Sequence, residues 1–170
     1  MRSESARMSS AAEARFRINA PSSTPRAIKV IALDRPSESV VKALAQSPWN
    51  NATFLTASAF AGAMRKDQPF SMQGWLSDLA GRTKDLVDEI NSADLVVMIA
   101  CAGEDAQTAS IIGEACSLRR ITTTALIMGS AAVSDEALSR TLAQLRPWAL
   151  MLVIANTDEY IDDMLAALRA

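Results

Sequence analysis

The feature that most limits what this chain can fold into is an alternation. Short apolar runs of strand length recur, and each is followed by residues whose apolar positions repeat at helical spacing. Ile28-Lys29-Val30-Ile31-Ala32-Leu33 is β-prone and stops at Asp34. Pro36 then suits a first helical turn, and Val40, Val41, Leu44 and Ala45 follow on one face. Asn50-Asn51 marks a turn before a second run, Thr53-Phe54-Leu55-Thr56. Leu76, Leu79, Leu86, Val87 and Ile90, with Trp75, predict one long amphipathic helix. The run from Asp94 to Ala100 is apolar on both faces, as a central parallel strand requires. Ile111, Ile112, Ala115 and Leu118 predict a helix, Thr122–Met128 a strand ended by Gly129, and Ser134 the N-cap of the next helix. Pro147 ends that helix, Leu150–Ile154 is the fifth strand, and Ile161, Met164, Leu165 and Leu168 mark the last helix.

Strands alternating with helices build right-handed βαβ units. The expectation is a three-layer, doubly wound, Rossmann-like α/β fold around a mainly parallel five-stranded sheet, as a single domain over 27–170. Residues 1–26, rich in Ser, Ala and Arg and broken by Pro21 and Pro25, read as a flexible leader. Phe60, Met64, Phe70 and Met72 lie in a less regular stretch, suited to a lid, a partner patch or a cover for a sheet edge.

Composition closes off several chemistries. The 170 residues contain no histidine, so Ser-His-Asp and Cys-His mechanisms and His-based metal sites are excluded. A formal net charge of −2 gives no electrostatic footprint for nucleic acid. No apolar run approaches the roughly 18–20 residues that span a bilayer. Two cysteines, Cys101 and Cys116, are too few for a disulfide framework; they read as free thiols of a cytoplasmic protein. No cofactor and no resident metal is expected.

In doubly wound folds, ligands sit beyond the carboxyl ends of the strands. The first such loop, Asp34-Arg35-Pro36-Ser37-Glu38-Ser39, has no glycine, so it is neither a dinucleotide fingerprint nor a P-loop. Asp34 either accepts a phosphoryl group, ligates magnesium or, the commoner role, caps the next helix. In the loop from Cys101 to Ser110, Cys101 could be a nucleophile at a helix's positive end, but it lacks a histidine base and has acidic neighbours, which favours a structural cysteine. Glu104 and Asp105 serve as general base or metal ligands, or as dipole partners in a first helical turn. Asn156, with Thr157 and Asp158, reads as the cap of the last helix or, less often, as a ligand contact.

The order of elements and several strings resemble the nucleotide-binding half of the FtsZ/tubulin family, from about Ala27 to Asp158. Ala27-Ile28-Lys29-Val30-Ile31 resembles its opening strand. Ser92–Ala100 resembles the strand entering its glycine-rich phosphate loop, and Leu152-Val153-Ile154-Ala155-Asn156 resembles a later strand. The resemblance implies a nucleotide-binding scaffold, with Asn156 where the family's asparagine touches guanine. Against the family's Gly-Gly-Gly-Thr-Gly-Thr-Gly, this chain reads Gly103-Glu104-Asp105-Ala106-Gln107-Thr108-Ala109, so only Gly103 and Thr108 are kept. The lost glycines would have let backbone amides close on phosphate. Each carboxylate at about 4 Å from a phosphate charge costs roughly 1–4 kcal/mol.

Two readings follow. The first is an accessory, non-catalytic domain on a nucleotide-binding-type scaffold, acting through protein partners or self-association. The alternative is a small-molecule-binding protein or enzyme using Asp34, Glu104 and Asp105 in one carboxylate-lined crevice. The sequence leans away from an enzyme.

Overall fold

A computed structural model describes residues 26–58, 76–156 and 159–168. The expected leader, apart from Arg26, and the stretch with Phe60, Met64, Phe70 and Met72 lie outside these residues.

Among the described residues, seven strands form one sheet: β1 (Ile28–Ala32), β2 (Ala52–Thr56), β3 (Leu76–Asp78), β4 (Thr83–Lys84), β5 (Leu95–Cys101), β6 (Thr122–Met128) and β7 (Met151–Ala155), in the order β4-β3-β2-β1-β5-β6-β7. The five expected strands pair in parallel, while β3 and β4 extend the sheet antiparallel beyond β2. Helices α1 (Arg35–Leu44), α2 (Leu86–Asn91), α3 (Thr108–Leu118), α4 (Asp135–Leu145) and α5 (Glu159–Ala167) complete the alternation.

The period-2 alternation of each central strand builds two cores. Ile31, Leu33, Val96, Met98, Ala100, Ala125 and Ile127 pack on one face against α2, α3 and α4, through Leu86, Ile90, Ile112, Ala115 and Leu145. Ile28, Val30, Ala32, Val97, Ile99 and Leu126 pack on the other against Val41 and Leu44 of α1 and Ile161, Met164 and Leu165 of α5. Three layers result, as expected. Lys29, nearly buried, ties β1 to its neighbours: its ammonium lies 2.8 Å from Glu89 of α2 and donates to Thr53 of β2 at 3.2 Å.

The long helix expected over 75–90 is corrected. The structure replaces its first half with the β3–β4 hairpin and keeps only α2. The Asp78 carboxylate accepts from the backbone N–H groups of Ala80 (3.0 Å) and Arg82 (2.8 Å) and from Arg82 Nε (2.7 Å). Gly81 takes φ +82°, which glycine alone adopts without cost. Asp85 then starts α2 by accepting from Val87 N–H at 2.8 Å. A side chain that binds its own following backbone competes with helix, and here it wins.

Candidate functional site

The chain runs from β1 outward to β2, then returns to place β5 on the other side of β1. The strand order therefore reverses between β1 and β5, which is where this architecture forms its ligand crevice. The loops after β1 and β5 border that point, and both carry candidate residues.

Asp34 fills it. One carboxylate oxygen accepts from Ser37 N–H at 2.8 Å, and the Ser37 hydroxyl bonds the Asp34 backbone in return, a capping box that starts α1. The other oxygen accepts from Cys101 N–H at 2.8 Å, across the gap between β1 and β5. The residue is 6 % exposed. The cap was expected; the bond to a residue 67 positions away has no local signal in the sequence. Beside it, Glu38 of α1 accepts from Thr56 Oγ1 at 2.9 Å and from the Ser58 hydroxyl, joining α1 to the end of β2.

The loop after β5 is held from α4. Gly103, at φ +86°, donates its N–H to Thr141 Oγ1 at 3.0 Å, and that hydroxyl lies 3.1 Å from the Glu104 carbonyl oxygen. Ala106 N–H donates to Gln144 Oε1 at 2.7 Å, and Gln144 Nε2 donates to Asp105 Oδ1 at 3.0 Å. Asp105 Oδ1 also accepts from Gln107 N–H at 3.0 Å. Thr141 and Gln144 are the positioning residues that sequence reading missed, since they lie 37 to 39 positions from their partners.

Helix α3 begins only at Thr108, so Glu104 and Asp105 precede its first turn instead of occupying it, and Cys101 ends β5 well before the helix's positive end. Thr108 is buried, and its hydroxyl has no hydrogen-bond partner among the described residues. Asn156 lies apart, following β7, with its Oδ1 accepting from Ser130 Oγ at 2.6 Å. The structure thus brings Asp34 together with Cys101. It ties Gly103, Glu104 and Asp105 to α4 and leaves Asn156 two strands away. Among the described residues no cluster of three or more Cys, Asp or Glu side chains could hold a metal ion. Cys116, fully buried in α3, has its thiol pushed up to about 12 by desolvation, so it stays protonated and unreactive at neutral pH.

At the opposite end of the sheet, a cleft of about 490 Å³ lies between the end of α3 and the lead-in to β7, with Arg120, Ile121, Trp148 and Leu150 in its wall. None of the candidate residues reaches it. Gly113 of α3 meets Trp148 there so closely that an added Cβ would lie 2.4 Å from the Trp148 Cβ.

No protein-family model matches the chain, and no curated protein matches it. Among solved structures it is similar to the translation elongation factor SelB of Methanococcus maripaludis in complex with the GTP analogue GppNHp. That match has 11 % identity and a TM-score of 0.50, and covers 85 % of this chain and 33 % of that one. The apo form of the same factor matches at 12 % identity and a TM-score of 0.46, over 84 % of this chain and 35 % of that one. This chain therefore spans about a third of the length of its structural neighbours. At such identity the likeness establishes the α/β fold alone.

Proposed function

We propose that this chain is an accessory, non-catalytic α/β domain on a nucleotide-binding-type scaffold of the FtsZ/tubulin kind, acting through protein partners. The observation that carries this reading is Asp34. Its carboxylate occupies the reversal point between β1 and β5, with one oxygen engaged by Ser37 and the other by Cys101. A phosphate group there would meet a buried carboxylate instead of a cradle of free amides. The amides of Gly103 and Ala106, in the loop that resembles a phosphate loop, are already spent on Thr141 and Gln144.

Thermal unfolding with GTP, GDP or ATP and magnesium tests the reading. A ligand at 100 times its Kd adds about 2.7 kcal/mol, which for a domain of this size raises Tm by roughly 5–11 °C. The expected result is no saturable rise with any of the three. A saturable shift of that size would overturn the proposal.

A further inference from the structure

The described residues leave one sheet edge without protection. Of the large apolar residues most exposed there, Leu150 (83 %), Met151 (40 %), Ile154 (45 %) and Tyr160 (50 %) belong to β7 and its flanks. The strand, Met-Leu-Val-Ile-Ala, carries no charge and no proline, two of the usual devices that keep a free edge from pairing. We infer that β7 is a self-association edge, on which a second copy of this chain adds its own β7 antiparallel, about a two-fold axis at Val153.

The register follows from the hydrogen bonding. Ala102 N–H donates to the Met128 carbonyl at 2.8 Å, so the backbone of Met128, Leu126 and Thr124 faces β5, and that of Ile127, Ala125 and Thr123 faces β7. Ala125 pairs with Leu152 and Ile127 with Ile154. In a parallel ladder their bonds reach the residues on either side, so Met151, Val153 and Ala155 turn inward. Leu152 and Ile154 are left with N–H and C=O directed away from the sheet. An axis at Val153 sets Leu152 of each copy opposite Ile154 of the other and satisfies all of these groups. Shifting the axis to Leu152 or Ile154 leaves one of the two facing residues beyond the strand.

Side chains agree with that register. On one face Leu152 meets Ile154; on the other Met151 meets the small Ala155, and Val153 meets Val153. No opposed pair is charged. Asp162 of α5 lines a recess with Val40, Ala43 and Leu44 of α1, so the helical turn places Tyr160 on the other flank of α5, towards the free edge. Taking a large side chain as roughly 200 Å², the exposed fractions of Leu150, Met151, Ile154 and Tyr160 amount to on the order of 400 Å² per copy. That is about half of the ~800 Å² per partner in a standard specific interface. The pairing is therefore a reversible, concentration-dependent dimer. The inference stands apart from the non-catalytic reading, since a nucleotide-binding protein could dimerise through the same edge.

Sedimentation velocity on the full chain, from low to high micromolar, reads it out. The expected result is a monomer–dimer equilibrium that Ile154→Lys weakens by about tenfold or more, a charge at an edge being the natural guard against pairing. Val153→Cys is the register test. The central pair is a non-hydrogen-bonded one with Cα atoms about 4.5 Å apart, within disulfide reach, so mild oxidation cross-links it. The wild type and Ala80→Cys, exposed in the turn of the β3–β4 hairpin at the opposite end of the strand order, do not cross-link. A monomer at every concentration overturns the inference, as does a dimer indifferent to Ile154→Lys with no cross-link at 153. Hydrogen exchange tests the unmodified chain directly. The amides of Leu152 and Ile154 should be protected only at high concentration; protection in a dilute monomer means the chain covers its own edge, and also overturns the inference.

Discussion

The two edges of the sheet solve the same problem in opposite ways. At one end, β4 is two residues long, contains Lys84 and follows the exposed, charged Arg82, and the hairpin that carries it is locked by the Asp78 carboxylate. Such an edge is short and charged and offers little to pair with. At the other end, β7 is five residues long and wholly apolar, and its outward backbone groups face away from the sheet. The turn of the hairpin edge is held by the Asp78 carboxylate, which bonds residues at most four positions away, and its ladder pairs residues no more than eight apart. The β7 edge is built from long-range packing, through Trp148 on Gly113 and Leu152 on the α4 side of the core. Local turn chemistry finishes a sheet, whereas tertiary packing can deliver a strand to the surface with one side unpaired among the described residues.

Substitutions sharpen this contrast. The largest effect is expected at Leu76 on β3, which is fully buried: Leu76→Ala should cost about 2–5 kcal/mol. Ile154→Ala on β7, half-exposed, should cost under about 1 kcal/mol in dilute solution. Equal losses in denaturant titrations would mean that β7 is as covered as β3, and the comparison would fail. An intermediate loss is expected for Gly113→Ala. Alanine is the better helix former by about 1 kcal/mol, but its Cβ would lie 2.4 Å from that of Trp148. Overpacking costs about 1–3 kcal/mol, so a net loss with a changed Trp fluorescence is expected, and a stabilised variant would show that the contact yields freely.

The smallest effect is read by pH. The backbone N–H of Arg82, its guanidinium and Ala80 N–H hold the Asp78 carboxyl below its ordinary value of 3.8. A depressed carboxyl contributes stability above its unfolded pKa and loses it as pH falls through the folded one. Asp78→Asn should therefore destabilise the chain at neutral pH, and the gap from wild type should shrink below about pH 3.8. A gap that stays constant down to pH 2 would show that the charge on Asp78 does not hold the turn.

The same contrast explains what the sequence made legible. The five parallel strands could be read because each is a short run rich in apolar and β-branched residues bounded by turn or capping residues, and Asp34, Ser134 and Pro147 mark helix boundaries by local chemistry. The hairpin was hidden because Leu76, Leu79, Leu86 and Ile90 fit a helical stripe equally well. Only Asp78, three residues before Gly81, hinted at a turn. Of the candidate site, Asp34 was visible as a cap. Its reach to Cys101 and the grip of Thr141 and Gln144 on the Gly103–Ala106 loop are contacts that only the folded topology creates.

The double engagement of Asp34 also orders events in time. Its bond to Ser37 closes three residues and can form as soon as α1 nucleates, while the carboxylate is still bathed in water. Its bond to Cys101 must wait until β5 has been laid beside β1, which closes a loop of 67 positions. The charge is thus never stranded: it acquires its second donor in the same step that removes its solvent. Pairing β5 with β1 and supplying the second donor to Asp34 are therefore geometrically one requirement, so a chain in which these two strands are paired has both oxygens of Asp34 engaged.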